Sequence, residues 1–338
     1  FRANAYKVVN VDIINDRGIH IMKSMLAYKK WGKGKQPAKG QKPDHFVGDF
    51  YVLYSKKEKE NPELHKELQE LLQKYEQGDR ETILLLKKMN AWALEGIQET
   101  YKRFGMHIDK TYYETDHFEK GREIVLAGLK EGVFKKDADG SVYVDLEQED
   151  LGKKTLLRAD GTSIYITQDL WLALQRYKDF KPDKTIYVVG SEQLHHFKVL
   201  FAILKKLCHK YAENYYHLPY GMVYLPEGKM KSREGAIVDA DNLMDESVTL
   251  AKKEILKREK KTDKEELEER AEKIALGAIN FLLLKYDALK DFTFNPEESL
   301  SFEGETGPYI QYAHARAASI LRKAEKEFKL KPKFDSGA

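Results

Sequence analysis

The sequence predicts an α/β protein in which a doubly wound sheet is interrupted by a helical insertion. Tyr6–Ile14 is mostly apolar and β-branched, as is typical of a buried strand. Lys184–Val189 predicts a second strand, which Gly190 ends before a helical segment. Between these strands, residues 56–104 carry apolar side chains at helical spacing. Because ligands of doubly wound sheets bind at the carboxyl ends of the strands, residues that follow the strands are candidates for a site.

The length and composition fit a soluble protein of about two domains. The chain has 338 residues, of which 42% are hydrophobic and 33% are charged. Its single cysteine, Cys208, excludes a disulfide framework and a zinc site built from cysteines, and fits a reducing, cytoplasmic compartment. No run approaches the ~18 apolar residues of a membrane helix, so no membrane partner is expected. With 58 basic and 55 acidic residues the net charge is only +3, so a nucleic-acid partner would need a local basic patch.

In its first half the chain is predicted to form one strand, a series of helices and a short hairpin strand. Asn15–Gly18 ends the first strand, and Ile19–Tyr28 is predicted to be helical. Residues 32–43 hold glycines and prolines among lysines and predict a mobile loop. A turn at Asp137–Gly140 precedes the alternating strand Val142–Val144. Two stripes with helical spacing lie within residues 56–104: Leu64, Leu68, Leu71, Leu72 and Tyr75, and Ile83, Leu86, Met89, Asn90 and Ala93.

After residue 155 the α/β pattern returns and then gives way to helices. Ser191 is a candidate N-cap for a helix over Glu192–Cys208, and Met222–Leu225 predicts a further strand. From Asp241 onward the pattern is helical. Three helical segments are expected there: the densely charged residues 252–273, the apolar residues 274–289, and Tyr309–Phe328 after Gly307 and Pro308.

The economical organisation is one α/β domain with an insertion, followed by helices. An insertion explains why α/β segments flank a mostly helical stretch. The predicted parts are residues 1–30 and 150–240 for the α/β domain, 31–149 for the inserted subdomain, 241–303 for a helical junction, and 304–338 for a last helix and its tail.

A basic loop bounded by Gly228 and Gly235 is the first candidate functional segment. It places the three cations Lys229, Lys231 and Arg233 within five residues. Such a loop can fold over a triphosphate and neutralise the charge that develops when pyrophosphate leaves. A solvated basic hairpin is the alternative, and composition alone favours it.

The second candidate segment runs from Arg158 to Asp169. Asp160 and Gly161 predict a turn, and Thr162 is a candidate cap for the helix that follows. Tyr165 and Asp169 are four residues apart, so on a helix they share a face. A carboxylate beside a phenol can receive a planar cation such as guanidinium. Alternatively, Asp169 is a surface acid favoured by the helix dipole, and the pattern alone favours that interpretation.

The third candidate segment, Gly190–His196, lies where a strand hands over to a helix. Backbone N–H groups at such a junction suit an anion. The paired histidines His195 and His196 could bind a metal, but no cysteine or carboxylate lies at ligand spacing. Polar contacts to a nucleotide or a substrate are therefore the favoured interpretation, and no metal site is predicted.

Five long segments, taken together, resemble arginyl-tRNA synthetases of class I. They include the strand ending in Asn-Asp-Arg-Gly, the run Tyr-Ile-Thr-Gln-Asp, the junction Gly-Ser-Glu-Gln and the basic loop, and they occur in the family's order. The resemblance implies a Rossmann-type catalytic domain, with the helix that begins in 304–316 as the start of an all-α anticodon-binding domain. The segments are residues 9–26, 156–174, 186–204, 220–246 and 302–325.

This resemblance also implies the substrates and the site. Arginine would be activated by ATP, with Mg²⁺ carried on the ATP phosphates and no protein-bound zinc, and then transferred to tRNA-Arg. Tyr165 and Asp169 resemble the guanidinium-binding pair, and Gln193 resembles the residue that contacts the amino-acid part. The expected ATP-binding residues are Gly190, Glu192, His195, His196 and Met230, and the expected catalytic residues are Lys229, Lys231, Ser232 and Arg233.

Two departures from the family's pattern affect these expectations. In the loop that resembles Lys-Met-Ser-Lys-Ser, Lys231 holds the third position and Ser232 the fourth, so either Lys231 or Arg233 substitutes for the second lysine. The family's His-Ile-Gly-His motif is absent, and Gly18–Ile21 only looks similar. The chain is therefore expected to begin just downstream of that motif, to stop after the first anticodon-domain helix, and to be inactive alone.

Two rival functions remain open on the sequence. One is an adenylate-forming ligase of the same superfamily that acts on a small molecule and ignores tRNA, although the helix from Gly307 to Phe328 argues against it. The other is a non-catalytic RNA-binding paralogue. The expected protein is otherwise a cytoplasmic monomer whose partners are L-arginine, ATP and tRNA-Arg.

Overall fold

The computed structural model describes residues 1–224, 239–259, 263–299, 301 and 304–330. These residues form two compact units, the first being Phe1–Tyr220 and the second the described residues from 221 onward. The helices are α1 (Ile19–Trp31), α2 (Pro43–Glu60), α3 (Glu63–Glu76), α4 (Arg80–Arg103), α5 (Lys120–Lys130), α6 (Tyr165–Phe180), α7 (Leu194–Lys206), α8 (Ala240–Arg258), α9 (Lys264–Lys285), α10 (Pro296–Ser299) and α11 (Gly307–Phe328). The strands are β1 (Val11–Ile14), β2 (Lys110–Tyr113), β3 (Lys135–Lys136), β4 (Val142–Leu146), β5 (Gly152–Leu157), β6 (Thr185–Gly190), β7 (Tyr215–Tyr220), β8 (Val223–Tyr224) and β9 (Phe292–Thr293).

Two parallel strand pairs in the first unit confirm the α/β prediction. β1 pairs with β2, and β6 pairs with β7. Helix α7 connects β6 to β7, which makes the βαβ unit that a parallel pair requires. Strands β2 and β7 were not predicted, because β2 has only four residues and β7 contains Pro219, a residue that weakens a strand prediction.

The first strand is shorter than predicted. β1 covers Val11–Ile14 rather than Tyr6–Ile14. Immediately before it, the amide of Asn10 donates to the side chain of Asp109 at 2.7 Å instead of to a strand partner. The strand prediction was therefore wrong over residues 6–10, where a side-chain contact replaces the start of the ladder.

Strands β3, β4 and β5 form a small antiparallel sheet. The predicted turn is confirmed by a 3.0 Å bond from the Gly140 amide to the Asp137 carbonyl. Along β4 the side chains alternate between buried and half-buried, which is the period-two pattern expected of a strand with one covered face. β4 then pairs with β5.

Helices α1 to α4 form a bundle with an aromatic core. Tyr28, Phe46, Phe50 and Trp92 contact one another edge to face, with ring centroids 5.2–6.3 Å apart. Such contacts add roughly 0.5–1.5 kcal/mol each to the burial of the rings. The predicted stripe on α3 is confirmed, since Leu64, Leu68 and Leu71 are buried and Leu72 and Tyr75 pack against the same core.

A second core lies between α5, α6, α7 and the strands. α5 approaches α6 so closely that a Cβ on Gly121 would lie 2.0 Å from the backbone oxygen of Thr167. Only glycine allows this approach. α6 and α7 each bury an apolar face on this core, which fixes their first turns near the ends of the strands.

In the second unit, α8, α9 and α11 pack through small residues. A Cβ on Gly307 would lie 2.4 Å from the backbone oxygen of Gly277, so α11 starts directly against α9. Thr306 caps α11 by accepting from the Tyr309 amide, and the predicted helix Tyr309–Phe328 is confirmed. α9 ends at Lys285 and leaves Leu284 82% exposed, so the core helix predicted for residues 274–289 was too long.

The predicted domain boundaries at residues 30 and 150 stay predictions. β1 and β2 lie on opposite sides of the first boundary, and β4 and β5 lie on opposite sides of the second. Each of these two pairs is hydrogen-bonded. The candidate insertion is thus joined to its neighbours by main-chain hydrogen bonds at both ends.

Candidate active site

Polar side chains collect at the carboxyl ends of β1, β2 and β6, beside the first turns of α6 and α7. This is the position where parallel α/β sheets bind ligands. The elements that carry it all belong to the first unit. Two of the three candidate segments, Arg158–Asp169 and Gly190–His196, belong to this region.

Tyr165 and Asp169 lie one turn apart on α6, as predicted. Tyr165 is the first residue of the helix and is 78% exposed, so its phenol is free to meet a ligand. Asp169 is less open, with 29% of its side chain exposed. Together they offer one neutral hydroxyl and one carboxylate on the same helical face.

The turn before α6 is held by Asp160. Its carboxylate accepts from both the amide and the hydroxyl of Thr162, at 2.9 Å and 2.7 Å. The hydrogen bond from the Thr162 hydroxyl, together with the one from the Thr162 backbone N–H, holds the pKa of the Asp160 carboxyl below its ordinary value. The Thr162 hydroxyl donates to Asp160 and its oxygen accepts from Arg158 Nη1, so Thr162 does not cap the helix, and that prediction was wrong. Ile164 is the N-cap residue.

Thr167 fixes the first turn of α6 from inside. Its hydroxyl donates to the Leu156 carbonyl at 2.8 Å, and it is fully buried. The start of the helix is thereby tied to the last residues of β5. The face that carries Asp169 is thus rigidly placed.

Asp169 contacts α7 through a histidine. The Nε2 atom of His196 lies 2.7 Å from Asp169 Oδ2. His196 has 26% of its side chain exposed, so the pair is half-buried at the rim of the site. The structure thus brings together two residues that the sequence analysis assigned to different substrates.

The junction after β6 is a short 3-10 helix, Ser191–Gln193, followed by α7. The Ser191 side chain makes no capping bond, and α7 begins at Leu194, so the predicted Ser191 cap was wrong. Glu192, Gln193 and His195 are exposed at this junction. The junction presents polar side chains at the carboxyl end of β6, where the sequence analysis expected them.

A further polar network was not predicted. Glu114, directly after β2, accepts from Asn15 Nδ2 at 2.8 Å and from Gln168 Nε2 at 3.4 Å. The neighbouring Asp16 accepts from the amide and hydroxyl of Thr115, at 2.9 Å and 2.6 Å. The signal that could have found it was the position of Asn15 and Asp16 immediately after a strand.

Beneath the site, the core holds a buried cation among tyrosines. The Arg176 guanidinium lies 5.6 Å from the ring of Tyr112 and 5.3 Å from that of Tyr187. Burial raises the pKa of the Tyr187 phenol, against the opposing effect of Arg176. The Tyr112 hydroxyl donates to Asp179 at 2.7 Å. These contacts attach α6 to β2 and β6 below the ligand-facing residues.

The basic loop lies outside the described residues. The roles expected of Lys229, Met230, Lys231, Ser232 and Arg233 therefore stay predictions. Within the described residues, no helix combines the length and the apolar character that crossing a membrane requires.

The comparisons with known proteins agree with one another on the family. Residues 1–296 match the family model for tRNA synthetases class I (R), catalytic domain. The arginine–tRNA ligase of Treponema denticola is 53% identical over 321 residues, covering 94% of this chain and 54% of that protein. That of Porphyromonas gingivalis is 47% identical over 344 residues, covering 96% and 58%. The chain thus spans a little over half the length of these curated relatives.

A solved structure supports the same assignment. The Thermus thermophilus arginyl-tRNA synthetase superposes with a TM-score of 0.80 at 27% identity, covering 98% of this chain and 59% of that one. The Plasmodium falciparum arginyl-tRNA synthetase gives 0.75 at 21% identity, covering 94% and 52%, which supports the fold alone. The family model spans most of the chain, and the α/β fold with parallel strand pairs agrees with it. This chain therefore belongs to the class I tRNA synthetase (R) catalytic-domain family.

Proposed function

We propose that this chain carries the arginine-binding part of an arginine–tRNA ligase that acts in translation. Supporting it are the family membership and the relatives' names. One observation of the structure carries the proposal. Tyr165 and Asp169 share the face of α6 at the carboxyl end of the parallel strands, with Asp169 half-buried.

The guanidinium of arginine would bind to Asp169 and Tyr165. A carboxylate can accept two parallel N–H bonds from the planar guanidinium, which the ammonium of lysine cannot supply. Gln193 would contact the amino-acid end. These contacts would hold the substrate carboxylate at the strand ends, ready for reaction.

ATP would occupy the junction after β6. Gly190, Glu192 and His195 lie there, and the loop residues Lys229 and Arg233 would neutralise its phosphates. Mg²⁺ would arrive with ATP, held largely by the phosphate oxygens. An oxygen of the arginine carboxylate would attack the α-phosphorus as the bond to the bridging oxygen breaks, which gives arginyl-adenylate and pyrophosphate.

In the second step a ribose hydroxyl of tRNA-Arg would attack the activated carbonyl and release AMP. The helix α11 is the proposed start of the anticodon-binding part. Its first turn packs against α9, and much of its apolar side-chain surface is exposed, including Tyr309, Ile310 and Ile320. We propose a cytoplasmic, monomeric enzyme. The described residues offer no observation in favour of the non-catalytic alternative.

Arginine-dependent ATP–pyrophosphate exchange tests this function. The assay is run with tRNA-Arg on the 338-residue chain, and on the complete gene product where the coding sequence extends beyond it. Calorimetric titration of L-arginine and of L-lysine into the same proteins is the second measurement. We expect exchange by the complete product with arginine and not with lysine, and arginine binding that Asp169→Ala removes. Exchange that does not depend on arginine, or an equal exchange rate with lysine, contradicts the proposal.

A further inference from the structure

We propose that His196 is a positioning residue that orients the Asp169 carboxylate for the arginine guanidinium. This inference rests on the proposed arginine site. Its basis is the 2.7 Å contact between His196 Nε2 and Asp169 Oδ2, which joins α7 to α6. His196 was expected to bind ATP, and that contact instead relates it to the amino-acid side of the site.

The hydrogen-bond roles in this pair follow from its chemistry. An ionised carboxylate can only accept, so the imidazole Nε2–H donates to Oδ2. Among the described residues, Asp169 Oδ1 has no hydrogen-bond partner. One oxygen is thus anchored, and the other is left for an incoming N–H group.

The histidine ring is itself held by the core. His196 packs edge to face against Phe197, with ring centroids 5.5 Å apart. Phe197 is buried and contacts His217 at 4.3 Å and Tyr187 at 4.9 Å. His217 in turn lies 2.9 Å, through Nε2, from the Val189 carbonyl in β6. The position of the imidazole is therefore fixed by residues of β6, β7 and α7.

A fixed carboxylate favours a bidentate partner. Without His196, the Asp169 side chain could rotate, and arginine binding would have to order it. Two parallel bonds to guanidinium need a defined carboxylate plane, so the loss falls on arginine more than on ATP. His196 would thereby contribute to arginine affinity without touching arginine.

Two substitutions at His196 and one control test this role. His196→Leu removes the donor, His196→Gln retains an N–H at the corresponding distance, and Lys198→Leu makes the matched change at an exposed residue of α7. We measure arginine Kd by calorimetry and the melting temperature on the 338-residue chain, and the KM values for arginine and ATP in pyrophosphate exchange by the complete gene product. For His196→Leu we expect arginine Kd and KM to rise about ten-fold or more, on the scale of a lost charge-assisted bond. The KM for ATP should change less than about two-fold.

His196→Gln should recover most of the arginine affinity, and Lys198→Leu should match the unsubstituted protein. Unchanged arginine Kd in His196→Leu overturns the inference. Equal loss for arginine and ATP with no recovery in His196→Gln also overturns it, because it indicates a merely structural histidine. If the unsubstituted protein binds no arginine, the proposed function fails first and this inference fails with it.

Discussion

The bundle α1–α4 and the strand-end region around α6 and α7 belong to one unit and each has an apolar core, but different interactions position their characteristic side chains. The bundle is held by apolar stripes and by rings such as Phe46, Phe50 and Trp92. The helices of the strand-end region also bury apolar faces, but its polar side chains are positioned by contacts between distant residues, such as Asp169 with His196 and Glu114 with Asn15. Removing a bundle side chain should therefore cost stability, whereas removing a strand-end side chain should cost arginine binding.

The largest effect on binding is expected at Asp169. In Asp169→Asn the guanidinium loses its charged partner, so the arginine binding free energy should weaken by about 2–5 kcal/mol. The melting temperature should stay within a few degrees, because Asp169 is half-buried at the rim and not part of the apolar core. Calorimetry with arginine and thermal unfolding measure the two quantities. Asp183→Asn, at an exposed residue just after α6, is the control. Arginine affinity equal to that of the control would remove Asp169 from the pocket.

The complementary change is Leu68→Ala in the bundle. Leu68 is fully buried, so the lost contacts and the cavity should lower the free energy of unfolding by about 2–5 kcal/mol. Chemical denaturation measures this, with arginine affinity determined below the unfolding transition and expected to be unchanged. Leu84→Ala, at a 57% exposed residue of α4, should cost far less. Equal losses of unfolding free energy at Leu68 and Leu84 would contradict the assignment of Leu68 to the bundle core.

Glycine-to-alanine substitutions should have opposite signs in the two regions. Gly121→Ala places a methyl group against the Thr167 backbone, so α5 must shift and stability should fall by about 1–3 kcal/mol. Gly48, inside α2, has open space around its Cβ position, so Gly48→Ala should raise stability by about 0.5–1 kcal/mol. Denaturant midpoints of both variants decide this. Stabilisation by Gly121→Ala would contradict the close approach of α5 to α6.

The smallest effect concerns pH and His117. Burial lowers the pKa of this imidazole, which stacks on Trp171 with centroids 5.2 Å apart. The unfolded chain therefore binds the proton more readily than the folded chain does. The stability that the neutral His117 contributes is fully present above about pH 6.5 and is lost as the pH falls toward the folded pKa. His117→Phe should flatten the fall in melting temperature between about pH 6.5 and 5. His314→Phe, at an exposed residue of α11, should leave the slope of melting temperature against pH unchanged. A steeper slope in His117→Phe would contradict the direction of the His117 pKa shift.

Sequence patterns predicted the bundle better than the site because the bundle's signal is local. The spacing of Leu64, Leu68 and Leu71 identifies the buried face of α3 without any knowledge of its partners. In the site, the shared helical face of Tyr165 and Asp169 was also a local signal, and it is confirmed.

The remaining contacts depend on long-range packing, which spacing cannot reveal. His196 meets Asp169 across 27 positions of sequence, and Asn15 meets Glu114 across 99. The two predicted caps failed for a local reason: the Thr162 hydroxyl donates to Asp160 two positions earlier, and a 3-10 helix over Ser191–Gln193 delays the start of α7 to Leu194. Propensity identifies residues able to cap but not the partner they find.

Co-crystallisation with L-arginine tests the central claim most directly. The measured quantities are the distances from the guanidinium nitrogens to the Asp169 carboxylate oxygens and to the Tyr165 hydroxyl. We predict N···O distances of about 2.7–3.2 Å to Asp169 and Tyr165, with the His196–Asp169 contact retained. A guanidinium bound elsewhere, with Asp169 facing only His196 and solvent, would contradict the account.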